Sequence, residues 1–92
     1  MLRFEFTAKG RRQAAEGTLV IEIEPPRKVD GFPDFECQIR FSGVVDKRSR
    51  GVGAFPLQAL DLAIQVAKAV VDSYSNEWDF YVSDEGPVTF RY

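Results

Sequence analysis

Pro56-Leu57-Gln58-Ala59-Leu60-Asp61-Leu62-Ala63-Ile64-Gln65-Val66-Ala67-Lys68-Ala69-Val70-Val71-Asp72-Ser73-Tyr74-Ser75 is the stretch that decides the fold. At about 100° per residue, Gln58, Asp61, Gln65, Lys68 and Asp72 gather into a polar stripe about 80° wide. Apart from Ser73 and the two ends, the remaining positions are apolar or small. This periodicity predicts one long amphipathic helix from Pro56 to about Ser75, roughly 30 Å in length. Pro56 suits the first helical position, where a backbone N–H has no partner to lose. No Ser, Thr, Asp or Asn precedes it as a cap.

The apolar arc exceeds about 200°, well beyond what one buried face of a surface helix needs. Leu57, Leu60, Ile64, Ala67, Val71 and Tyr74 are expected to lie on a sheet. Ala59, Leu62, Val66, Ala69 and Val70 form a second face beside them. Two covers suit that second face. The C-terminal segment could wrap over it with Trp78, Phe80, Tyr81 and Phe90. Alternatively Leu62, Val66 and Val70 meet a partner, most simply another copy across a two-fold axis.

The sheet is read from alternation. Leu2, Phe4, Phe6 and Ala8 alternate with Arg3, Glu5 and Thr7, and Leu19, Ile21 and Ile23 repeat the pattern from about Gly17 to Glu24. Pro25-Pro26 ends that strand, because proline cannot donate to a ladder. Phe35, Cys37, Ile39 and Phe41 alternate with Glu36, Gln38, Arg40 and Ser42 in the cleanest strand of the chain. Gly43 opens a loop through Asp46-Lys47-Arg48-Ser49-Arg50, with a short strand at Gly51–Phe55. Beyond the helix, Phe80-Tyr81-Val82 and Val88–Tyr92 read as one or two short strands around an Asp84-Glu85-Gly86-Pro87 turn. The expected fold is therefore α+β, one domain over residues 1–92. It has an antiparallel sheet of three to four strands, one helix across one face and a short C-terminal β segment.

Composition narrows the function classes. Ninety-two residues are 45% hydrophobic and 28% charged, as in an ordinary globular domain. Twelve basic and fourteen acidic residues give a net charge of −2, which argues against general binding of nucleic acid. There is no histidine and one cysteine, Cys37. Catalysis by a histidine base and zinc sites of several Cys or His ligands are thereby excluded. Cys37 shares the core-facing positions of its strand and reads as a small buried hydrophobe, not a nucleophile. Asp79, Asp84 and Glu85 lack partners for a metal site or an acid–base pair. No enzyme and no cofactor is expected. The charge at every second position of the N-terminus does not suit a signal peptide, and the helix carries too many charges to span a membrane, which points to the cytoplasm.

Two surfaces stay open as sites. Lys47, Arg48 and Arg50 precede a helix N-terminus, where anions are favoured, but the spacing fits neither a P-loop nor a dinucleotide fingerprint. The alternative is a solubilising loop tip. Phe32, between Gly31 and Pro33, is either an exposed anchor or folds back on the sheet edge.

Cys37-Gln38-Ile39-Arg40-Phe41-Ser42-Gly43, then Gly53 and Leu57-Gln58-Ala59-Leu60-Asp61-Leu62-Ala63, resemble a family of small bacterial domains of unknown function. In that family a C-x-I-x-I-x-G strand leads through a loop to a G-x-D-x-L-Q-A-L helix start. The resemblance covers about half the chain, and Phe55 stands where the family pattern has an aspartate cap. It implies a bacterial, cytoplasmic protein and transfers no functional residue. The function expected is a non-catalytic protein-interaction module that self-associates through its helix, with anion or nucleic-acid/ligand binding through the basic loop 47–50 next to the helix N-terminus as the alternative.

Overall fold

The computed structural model of the chain describes residues 1–82. Strands β1 (Leu2–Gly10), β2 (Glu16–Ile23), β3 (Arg27–Lys28), β4 (Phe35–Gly43) and β5 (Lys47–Gly53) precede helix α1 (Pro56–Ser73), and β6 (Trp78–Val82) follows it. All six strands join one antiparallel sheet. β5 and β2 flank β4, β1 lies beyond β2, and β6 pairs with the far side of β1. The two-residue β3 continues the β2 side of β4, with Arg27 opposite Glu36.

The α+β class agrees with expectation, but the sheet has six strands, not three or four. The difference lies in two places. The short strand expected at Gly51–Phe55 instead runs over Lys47–Gly53: the four polar residues Lys47–Arg50 read as loop, but they pair with Phe41–Gln38 and make the segment a seven-residue edge strand. The short β3 is too brief to leave a periodic signal. The C-terminal β segment is present as β6, while Val88–Tyr92 lies outside the described residues.

One sheet face carries the core. Leu2, Ile23 and Ile39 form a cross-strand row, and Phe4, Ile21 and Phe41 form the next. Cys37 is fully buried among them, as its strand position predicts. β5 and β6 run in the same direction at opposite edges, so α1 is the crossover that joins them across this face. Its contacts are chiefly with β5 and β4.

The helix meets the sheet between the two faces expected of it. Ala59, Ala63, Ala67 and Val70 are buried along with Leu60. Leu62 and Val66 on one flank, and Ile64 and Val71 on the other, are half-buried. Alanines along the central line let the axis come close to β5, where Gly51 and Gly53 have no side chains to hold it off. At that distance Val66 on one flank and Ile64 and Val71 on the other also pack against the core, so about 160° of arc is used by one sheet. Leu57, expected on the inner face, is instead 79% exposed at the helix start. Val70, expected on the second face under the C-terminal segment or a partner, is 8% exposed and belongs to the core that the helix forms with the sheet.

Phe55 is the N-cap residue and makes no side-chain cap bond. Gln58 partly substitutes by reaching back, its Oε1 accepting from the Ala54 N–H at 2.7 Å. This is half of a capping box, displaced by one residue. At the other end a turn over Tyr74–Glu77 leads into β6, with the Trp78 N–H donating to the Tyr74 carbonyl at 3.0 Å. The C-terminal segment therefore extends the sheet. Trp78 and Phe80 are half-buried on the helix side, where Phe80 packs against the core.

Candidate functional site

Three of the exposed large apolar residues lie close in the chain to one end of the β4–β5 ladder. Phe35 pairs with Gly53, so the chain before Phe35 and the chain after Gly53 leave the same end of the β4–β5 ladder. Phe32 lies three residues before that pair, and Phe55 and Leu57 lie two and four residues after it. These three are 63%, 69% and 79% exposed. The Phe32 loop is closed locally by hydrogen bonds, with Val29 N–H donating to the Asp34 carbonyl at 2.9 Å and Phe32 N–H to the Val29 carbonyl at 3.2 Å. Phe32 does not fold back; it stands out from a closed loop. Among the described residues, the other exposed large hydrophobics are Met1, Val52, Tyr81 and Val82.

The second surface is the sheet face opposite α1. Alternation places Glu22, Glu36, Gln38, Arg40, Arg48 and Arg50 on it, and these residues line most of an open depression of about 630 Å³. Glu36 is 7% exposed and is the one buried charged residue among those described. Arg27 donates to its Oε1 through Nε at 3.0 Å and Nη2 at 2.9 Å, and Arg50 donates to Oε2 at 3.2 Å. The Arg27 bonds hold the Glu36 carboxyl below its ordinary value, against the opposing effect of burial and with help from Arg50. A cross-strand clamp of this kind fixes the Arg50 side chain and the β3–β4–β5 register together.

The basic segment sits differently from its sequence reading. Lys47, Arg48 and Arg50 lie within β5, not in a loop. Arg48 and Arg50 alternate onto the face away from α1, and Lys47 starts the strand at the end remote from the helix N-terminus. The structure therefore does not gather the three around that terminus. Arg40, which alternates onto the outer face of its strand, is brought directly opposite Arg48. The signal that could have found this pair is register, which needs the partner strand to be recognised first. On the helix, Leu62 and Val66 keep part of their surface in water, whereas Val70 does not.

No three His, Cys, Asp or Glu side chains come together as a metal site among the described residues. The Cys37 thiol is pushed up by burial. No described helix is long and apolar enough to cross a membrane. No family model matches the chain, and neither the curated proteins nor the solved structures searched contain a match.

Proposed function

We propose that the protein is a non-catalytic interaction module that associates weakly with a second copy of itself through the apolar end formed by Phe32, Phe55 and Leu57. The observation that carries this reading is the exposure of all three at one end of the β4–β5 ladder. Together they leave roughly 400 Å² of side chain in water, taking about 150–250 Å² for each whole aromatic. That is about half of the 800 Å² per partner that a stable interface buries. A reversible dimer of micromolar or weaker affinity fits this area; an obligate one does not. A two-fold axis through the patch would set Phe32 of one copy against Leu57 of the other and the reverse.

This reading moves the contact from the helix face to the helix start, because Val70 is in the core and Leu62 and Val66 are half covered. A bacterial origin rests on the resemblance of the strand and helix-start motifs alone, and a cytoplasmic setting on that resemblance together with the charged N-terminus and the charges on the helix. Sedimentation velocity from low to high hundreds of micromolar tests the proposal. The expected result is a sedimentation coefficient that rises with concentration and stops rising in the F55S/L57S double variant. A concentration-independent monomer, or an unchanged rise in that variant, would refute it.

A further inference from the structure

We propose that Arg40 and Arg48 form a binding site for one phosphate group, free or carried on a small molecule. The two residues are direct partners in the β4–β5 ladder, so their side chains leave the same sheet face about 4.5–5.5 Å apart at Cβ. Both are exposed, and neither takes part in an ion pair or side-chain hydrogen bond among the described residues. Like charges placed directly opposite oppose folding. A dianion between them reverses the sign of that interaction, because two guanidinium forks can donate to one set of phosphate oxygens.

The surroundings limit the ligand. Arg50, two residues along β5, is already held by Glu36, and Gln38 lies two residues along β4 as a neutral neighbour. On the other side, Glu22 is the direct partner of Arg40 in the β2–β4 ladder, and Glu24 also lines the depression. These carboxylates confine an anion to the β5 side. They also oppose a polyanion, whose successive charges would run onto them. A single phosphate meets two arginines and stops there. The site is thus suited to a small phosphate compound and not to a nucleic acid backbone.

The test is a titration of the ¹⁵N-labelled whole chain at constant ionic strength and mildly alkaline pH, where phosphate is mainly a dianion. Sodium phosphate, glycerol phosphate and a DNA duplex are the probes. Saturable shifts centred on the β4–β5 ladder are expected with sodium phosphate, with glycerol phosphate, or with both, which also separates free ion from ester. R48Q and R40Q should each weaken binding by about tenfold or more, whereas K47Q should leave it unchanged. Unshifted spectra elsewhere establish that each variant is folded, and R48Q, on the edge strand, suffices if R40Q is not. Shifts that stay linear with phosphate, an equal loss in K47Q, or tighter binding of the duplex than of either phosphate would overturn the proposal.

Discussion

Gly51 of β5 lies against the backbone of Ala63 in α1 with no room for a methyl group between them. A Cβ on Gly51 would collide with the Ala63 nitrogen, and one on Gly53 would lie 2.7 Å from the Ala59 nitrogen. Strand glycines usually weaken a sheet, but here they set the distance at which the helix docks. G51A should therefore cost about 2–3 kcal/mol through overpacking, since the atoms in the way are all backbone, read as a fall in the denaturant midpoint. G31A is the control. Gly31 has φ +80° with nothing near its missing Cβ, so it tests backbone conformation alone and should cost only about 1 kcal/mol. Equal losses in the two variants would contradict the close approach.

The helix orientation makes a second prediction, because Leu57, expected on the sheet-facing side, is in water and Val70, expected on the neighbouring face, is in the core. L57A should change stability by less than about 0.5 kcal/mol, since the side chain is already in water. V70A removes two methyl groups from the core and should cost about 1–2 kcal/mol. Chemical denaturation of both variants reads the order. A larger loss in L57A would mean that the helix is turned.

How far the sequence carried the reading can be seen at these positions. Periodicity reported that the helix is amphipathic, where it starts, and that three segments alternate as strands. It could not report which line of a 200°-wide arc is central, because Leu60 and Val70 are equally apolar. That choice is made by Gly51 and Gly53, whose role appears only once the helix is seen to dock on their strand. Reading Lys47–Arg50 as loop hid the Arg40–Arg48 juxtaposition, which is a fact of register and not of composition. Phe32 was visible as a candidate anchor, but its alignment with Phe55 and Leu57 depends on the pairing of Phe35 with Gly53.

Glu36 yields a prediction in acid. Its folded-state pKa lies below the ordinary carboxylate value of 4.5, with the Arg27 hydrogen bonds as the largest cause. A depressed carboxylate contributes stability that is fully present above its unfolded pKa and is lost as pH falls through its folded one. The stability difference between the wild type and E36Q should therefore be steady near neutrality and shrink below about pH 4.5. Urea midpoints across that range measure it. R27Q should raise the Glu36 pKa more than R50Q does, observable by carboxyl ¹³C titration. The reverse order would assign the clamp chiefly to Arg50.

The Arg40–Arg48 pair predicts a variant that gains stability. Opposed like charges on a sheet are worth roughly 0.2–1 kcal/mol against folding, and Arg48 has no acidic partner among the described residues. R48Q removes that repulsion while keeping a long polar side chain on the edge strand. Its melting temperature should rise by a few degrees, at about 4–8 °C per kcal/mol for a chain of this size. K47Q, whose ladder partner is Phe41, should move by less than about 0.5 kcal/mol. Salt separates repulsion from β-propensity, because screening acts only on the former. At about 1 M salt the Debye length falls to about 3 Å, so the advantage of R48Q should largely vanish. A gain that persists unchanged in high salt would trace to the side chain's fit in the strand and not to its charge.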